Sequence, residues 1–312
     1  MPSHEDTQMT EINRRLAELE AESPLQFVAN PFPEPVPIRL YLKRDDRLHP
    51  LVSGNKWRKL KYNLIAAYEK GYSRLLTFGG AYSNHLYATA AAGQALGFQT
   101  ISVVRGEELA SAPRNATLAF CESCGMRLHF VSRATYQRKA DPAYLAELEQ
   151  LFGSCYILPE GGTNELAIQG TAEIMPEIMN QLGDVPDYVC CAAGTGGTVL
   201  GLAQTAPTGT QVLGFLSLNA QDFQLPTTSE RVQLITDYSF GGYAKTTPEL
   251  LTFIRAFEQL TGVIIEQVYT GKMLYGIYDM ARRGYFSDNS TVVAVHTGGL
   301  QGRDAKLDAS NY

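Results

Sequence analysis

The sequence predicts an α/β fold of two units, each a twisted, mostly parallel sheet flanked by helices. Three observations carry this. Apolar runs of strand length alternate with helix-length segments along most of the chain. Two of the strand-to-helix turns are rich in glycine, as turns that crowd backbone against a neighbour or a ligand require. The length, 312 residues, is about twice that of a common single domain.

Residues 1–24 are polar, with Ile12, Leu16 and Leu19 at helical spacing, so a frayed start and a short surface helix are expected. Residues 30–37 hold four prolines and read as an extended connector. The segment 38–44 alternates apolar and polar residues, the period of a strand. A helix should follow from Trp57, Leu60 and Leu64. Strands are then expected at 75–78, 100–104, 127–131 and 155–159, with helices at 84–96, 116–124 and 142–152 between them. Strand and helix alternating at this spacing imply right-handed parallel crossovers. The rhythm resumes with one long helix over 165–182, a strand at 188–193, a helix at 199–203, and strands at 211–215 and 291–295. No internal repeat or low-complexity linker interrupts it.

Hydrophobic residues make up 45% and charged residues 19%, an ordinary globular balance able to bury a large core without staples. The net charge of −6 argues against nucleic acid as a partner, because phosphate backbones demand clustered Lys and Arg. A small anion held in a local pocket stays compatible with it. Five cysteines, an odd number, without an apolar leader segment, point to reduced thiols and a cytoplasmic protein. Cys121 and Cys124 have CxxC spacing but no second ligand pair, so helix packing is expected there and no metal. The acidic N-terminus does not read as a signal peptide, and no window of 18 uninterrupted apolar residues suggests a membrane span.

Five motifs carry chemistry. Ser53-Gly54-Asn55 is a turn leading into Lys56, with Asn55 placed to cap the helix. A helix N-terminus disfavours an ammonium, and Arg58 and Lys59 crowd it further. Both effects favour the neutral amine that attacks a carbonyl. Taken by itself, the stretch reads more readily as a solvated basic helix start. Gly194-Thr195-Gly196-Gly197-Thr198 follows an apolar strand and opens a helix. Its N–H groups and hydroxyls suit a phosphate monoester without any Lys or Arg. The loop lies too late in the chain for a dinucleotide fingerprint and lacks the Gly-Lys-Ser/Thr of a P-loop. A tight turn without a ligand is the bland alternative. Gly79-Gly80-Ala81-Tyr82-Ser83-Asn84-His85 is a second strand-to-helix turn, where Ser83 serves at least as a helix cap. Val268-Tyr269-Thr270-Gly271-Lys272 reads as a loop with a glycine bend. His296-Thr297-Gly298-Gly299 closes the last apolar strand.

In this order the five motifs resemble the fold-type II pyridoxal-phosphate enzymes, a tryptophan synthase β-like fold. The group containing D-cysteine desulfhydrase and 1-aminocyclopropane-1-carboxylate (ACC) deaminase matches best, from about residue 40 to 302. The resemblance implies a discontinuous larger cofactor-binding domain, 1–59 plus 166–312, with a smaller α/β domain, 60–165, inserted. It implies pyridoxal 5′-phosphate as cofactor, held covalently by Lys56, with its phosphate on Gly194, Thr195, Gly196, Gly197 and Thr198. Ser83, Asn84 and His85 would hold the substrate carboxylate, Asn84 would also touch the cofactor's 3′-oxygen, and Tyr269 would face the substrate. A small amino acid as substrate and a homodimer are further implications.

ACC deaminases carry Glu directly after this tyrosine, against the pyridine nitrogen. This chain has Thr270, as desulfhydrase-like members do; those pair the nitrogen with a threonine hydroxyl, so the resemblance implies Thr297 as its partner. A hydroxyl leaves the ring a weaker electron sink than a carboxylate does, which favours expelling a good leaving group over opening a cyclopropane. The reading is therefore β-elimination from D-cysteine, with ACC deamination as the alternative. Racemase or dehydratase chemistry on D-serine-like substrates ranks third, and a phosphate-ligand binding protein without catalysis is the reading from another class. Gly241-Gly242-Tyr243-Ala244-Lys245 resembles a substrate-side segment of desulfhydrase-like sequences, without an assigned role.

Overall fold

A computed structural model describes residues 4–52, 54–219, 223, 225 and 231–308, with side chains from residue 11. Ser53 lies outside the described residues. Ten strands occur among them: β1 Leu25–Phe27, β2 Ile38–Lys43, β3 Arg74–Gly79, β4 Gln99–Arg105, β5 Arg127–Val131, β6 Tyr156–Ile157, β7 Tyr188–Ala193, β8 Gln211–Leu216, β9 Val232–Ile235 and β10 Ser290–Val295. They form two sheets, one in each of two compact units.

The first unit comprises Met1–Ala21, His49–Val52 and Lys56–Ala167. Its four strands run β5-β4-β3-β6, all parallel. Leu76, Phe78, Ile101 and Val103 pack against Tyr144, Leu148 and Phe152 of the helix Pro142–Phe152. Val104 packs with Leu86 and Ala90 of the helix Asn84–Leu96 and Leu118 and Cys121 of the helix Ala116–Ser123. Each fully buried Leu or Val contributes about 1.5–3 kcal/mol by leaving water. Ser83 caps the helix Asn84–Leu96, its Oγ accepting from Leu86 N–H at 3.3 Å, and Gly97 ends it at φ +82°.

The second unit comprises Glu22–Leu48, Ser53–Asn55 and Ile168–Tyr312. Its six strands run β1-β2-β10-β7-β8-β9, parallel throughout except for the short edge strand β1. Alternation along β7, β8 and β10 sorts side chains onto two faces. Cys190, Ala192, Leu213, Phe215, Val292 and Ala294 meet the helices Pro248–Thr261 and Thr270–Arg282. Val189, Cys191, Val212, Val293 and Val295 meet the helices Ile174–Leu182 and Gly197–Thr205.

Four local expectations differ from what folds. The N-terminal helix, His4–Leu19, buries Ile12 and Leu16 and is more than a surface helix. The helix expected over 165–182 is two, Glu165–Ala172 and Ile174–Leu182, because Pro176 offers no N–H and its ring crowds the carbonyl four residues back. Residues 270–272, read as a loop, begin the helix Thr270–Arg282. The units also have bounds other than 60–165 and its complement, since residues 4–21, 49–52 and 56–59 fall with the smaller one. Among the described residues no helix is long and apolar enough to cross a membrane.

Candidate active site

In the second unit, β7 delivers the chain into the glycine turn. Gly196 takes φ +82°, a left-handed value that opens the way for the helix Gly197–Thr205. Gly194 matters for a different reason: a Cβ there would lie 3.3 Å from Cε1 of Tyr269, a contact that the ring would have to yield to by a few tenths of an ångström. The Thr171 hydroxyl donates to Gly197 O at 3.1 Å and steadies the turn from the preceding helix. Thr198 is 3% exposed, and its Oγ1 accepts from the Asn55 side-chain amide at 2.9 Å.

That amide ties the glycine turn to the turn before Lys56. Asn55 is the first residue of the helix Asn55–Glu69 rather than its cap, and its N–H donates to Thr297 O at 3.3 Å. Gly54, at φ +67°, donates to Asp45 O at 3.0 Å. The Thr297 loop is held in turn by His296, whose Nε2 donates to Ile264 O at 2.8 Å while Nδ1 accepts from Gly298 N–H at 3.2 Å. Both ring nitrogens are thus used by a neutral imidazole, and burial lowers the affinity of His296 for a further proton.

Tyr269 ends its own loop at the head of the helix Thr270–Arg282. No side chain at Tyr269 itself caps this helix. Glu266, fully buried, does it from four residues upstream, accepting from the N–H groups of Val268, Tyr269 and Thr270 at 2.5, 3.0 and 2.6 Å. Gly271 permits this because a Cβ there would meet Glu266 O at 2.6 Å.

In the first unit, Lys56 stands half-buried in the opening turn of the helix Asn55–Glu69. The neighbouring charges are not a solvated face. Arg58 is fully buried, and Lys59 is 3% exposed, its Nζ donating to Gly161 O at 3.1 Å and to the Thr163 hydroxyl at 2.9 Å. His85 is buried too. Its Nε2 lies 2.8 Å from the Thr77 hydroxyl, which donates its single proton to Leu158 O at 3.0 Å. The hydroxyl oxygen therefore accepts from Nε2–H, and Nδ1 is left as a bare lone pair. Desolvation, with the charges of Lys56 and Lys59, lowers His85 to about 3. A neutral ring in this tautomer offers a carboxylate no donor at Nδ1, so the expected carboxylate role fits Ser83 and Asn84 better than His85.

Gly194, Thr195, Gly196, Gly197, Thr198, Tyr269 and Thr297 all lie in the second unit, where Gly194 comes close to the Tyr269 ring and Asn55 links Thr198 to Thr297. Lys56, Ser83, Asn84 and His85 lie in the first, where the charge of Lys56 acts on His85. Glu266, the part His296 plays in holding its loop, and the Asn55–Thr198 bond escaped sequence reasoning. A carboxylate four residues before a helix has no cap signature, and an amide–hydroxyl bond across 143 positions leaves no local pattern.

A family model described as "Pyridoxal-phosphate dependent enzyme" matches residues 16–215. The chain belongs to the pyridoxal-phosphate dependent enzymes. It is 32% identical over 298 residues, 90% of each chain, to a Pyrococcus horikoshii protein named as a candidate ACC deaminase. It is 29% identical over 297 residues to an Arabidopsis thaliana protein named a bifunctional D-cysteine desulfhydrase/ACC deaminase, mitochondrial, covering 86% of this chain and 74% of that one. A crystal structure described as an ACC deaminase homologue aligns with a TM-score of 0.77 at 28% identity, over 93% of this chain and 95% of the other.

The residues present fit the family's cofactor. The glycine turn leaves little room for a side chain at Gly194, carries hydroxyls at Thr195 and Thr198, and sits at the positive end of a helix, as a doubly charged phosphate ester needs. The family's chemistry needs a lysine, and Lys56 follows directly on Asn55, whose amide is bonded to that turn. The fold is the expected fold-type II α/β architecture.

Proposed function

We propose that this enzyme eliminates the β-substituent of a small amino acid, with D-cysteine as the leading substrate. One observation favours elimination over ring opening. The position after Tyr269 is Thr270, and the carboxylate that meets its N–H, Glu266, is committed to three backbone N–H groups. Neither supplies a free carboxylate for the pyridine nitrogen, whose partner is then the Thr297 hydroxyl.

Bound pyridoxal phosphate supplies an aldehyde for amines and a conjugated ring that spreads negative charge from Cα. Gly194 to Thr198 bind its phosphate, and Lys56 holds it covalently between turnovers. Ser83 and Asn84 orient the substrate carboxylate. Lys56, as a neutral amine, takes the Cα proton. Tyr269 faces the β-substituent, which leaves as sulfide. Water then converts the product enamine to pyruvate and ammonia, so that cysteine and water give pyruvate, hydrogen sulfide and ammonia. Five cysteines, none in a disulfide among the described residues, support a reducing compartment such as the cytoplasm.

Deamination of ACC to 2-oxobutanoate and ammonia is the second reading, favoured by the names of the relatives. Assays of both substrates separate the two: ACC turnover equal to or faster than that of D-cysteine overturns the elimination reading. Borohydride treatment should leave the cofactor on Lys56, and Lys56→Ala should lose keto-acid release altogether. A Lys56→Ala protein of unchanged activity removes the proposal.

A further inference from the structure

The helix Thr270–Arg282 does more than present Tyr269. One of its faces, through Lys272, Tyr275 and Asp279, grips the turn at 238–245. Tyr238 Oη donates to Asp279 Oδ2 at 2.8 Å, and Phe240 meets Tyr275 edge-on at 5.1 Å. Between them Lys272, 1% exposed, sends Nζ to Ser239 O and to Gly242 O, each at 2.8 Å.

Those two carbonyls also close the turn itself. Ser239 O accepts from Gly242 N–H at 3.0 Å, and Gly242 O from Lys245 N–H at 3.1 Å. The backbone here is unusual: Phe240, Gly241, Gly242 and Ala244 all have positive φ, from 51° to 111°. Non-glycine residues in that region cost about 1–3 kcal/mol each and persist only where the surroundings hold them. A buried ammonium is an expensive tether when a methionine could fill the space. What the ammonium adds is two directed donors on the carbonyls that define the turn. The turn carries Tyr243, whose ring lies edge-on to Tyr269 at 6.1 Å.

We propose that Lys272 is a positioning residue that sets Tyr243 against Tyr269, and so shapes the part of the site that meets the substrate's side chain. This rests on the reading of Tyr269 as substrate-facing. Burial, opposed by the charge of Glu266, brings the amine to about 8, in keeping with a tether that is costly to keep charged.

Hydrogen exchange on the protein without substrate reads the tether directly. In Lys272→Met, the amides of Gly242 and Lys245 should exchange faster while those of β7 keep wild-type rates. With cofactor binding retained, kcat/KM should fall by about tenfold to a hundredfold, as for a misplaced binding group. In a Tyr243→Ala background the same substitution should cost less than about twofold, because the two act as one unit. Tyr238→Phe, which loosens the same turn without disturbing the buried amine, should repeat both effects more weakly and guards against a Lys272→Met protein that does not fold. Unchanged exchange at Gly242 in either folded variant, or a full loss in the Tyr243→Ala background, overturns the proposal. A loosened turn in a protein that yields no keto acid from any amino acid would support the tether and remove the functional reading.

Discussion

Gly54 has no side chain because Thr297 occupies its place: a Cβ on Gly54 would lie 1.8 Å from the Thr297 carbonyl oxygen. This contact seats the turn before Lys56 against the loop that closes the last core strand. Gly54→Ala must displace one of them. The left-handed backbone alone costs about 1–2 kcal/mol, before any clash. We expect a lower Tm and weaker pyridoxal phosphate binding, read by thermal melts and cofactor titration. A Gly54→Ala protein with wild-type affinity would show that the contact has no bearing on the cofactor.

The Asn55–Thr198 bond makes a second prediction. Thr198→Val keeps the shape of the side chain but removes the acceptor for Asn55 Nδ2. A neutral hydrogen bond is worth about 1 kcal/mol net, more if the amide is left buried and unpaired. Cofactor affinity should fall by about tenfold, equivalent to 1.4 kcal/mol. Asn55→Ala should fall by a similar factor, and the double variant by little more than either alone.

The turn at 194–198 was legible because its parts are local: an apolar strand, a glycine run and a helix in sequence. The same holds for 79–85. The helix Thr270–Arg282 was not, because Tyr-Thr-Gly-Lys lacks a capping residue and the cap is Glu266, which approaches only because Gly271 has no side chain. Strand β9 was missed as a four-residue edge with three of its residues incompletely buried. Lys59 and Arg58 looked solvated because one heptamer cannot reveal that Gly161 and Thr163, a hundred positions on, will receive an amine. The discontinuity of the larger unit came only from the resemblance, since alternation of strand and helix records the rhythm but not which sheet a strand joins.

His85 predicts an acid-sensitive fold. The folded protein takes up a proton on this ring only below about 3, whereas the unfolded chain does so near 6.5. Between those values protons favour the unfolded chain, so this group removes stability as pH falls from 6.5 toward 3 and has no effect above. Lys56 and Lys59 both oppose the extra charge. Denaturant midpoints measured from pH 7 to pH 4 should therefore fall less steeply in His85→Asn than in the wild type. Parallel curves would show that the ring takes up its proton without penalty.

Thr270→Glu tests why the position after Tyr269 is a hydroxyl here. Thr270 is fully buried, and its N–H donates to Glu266 Oε1 at 2.6 Å. A glutamate at 270 would place a second carboxylate near the first, whose N–H donors are already spent, while the Lys272 ammonium that feels the charge of Glu266 is committed to Ser239 O and Gly242 O. One of the two would have to stay protonated or force the helix start apart. An uncompensated buried charge costs about 3–5 kcal/mol. Thr270→Glu alone should thus melt well below the wild type and lose elimination activity. Glu266→Gln removes the competing charge while leaving an oxygen for part of the cap, so the double variant should melt above the Thr270→Glu single variant. It should also turn over ACC better relative to D-cysteine than the wild type does. If the single variant is as stable as the wild type, Glu266 does not govern this position, and the electrostatic reason for a threonine at 270 falls with it.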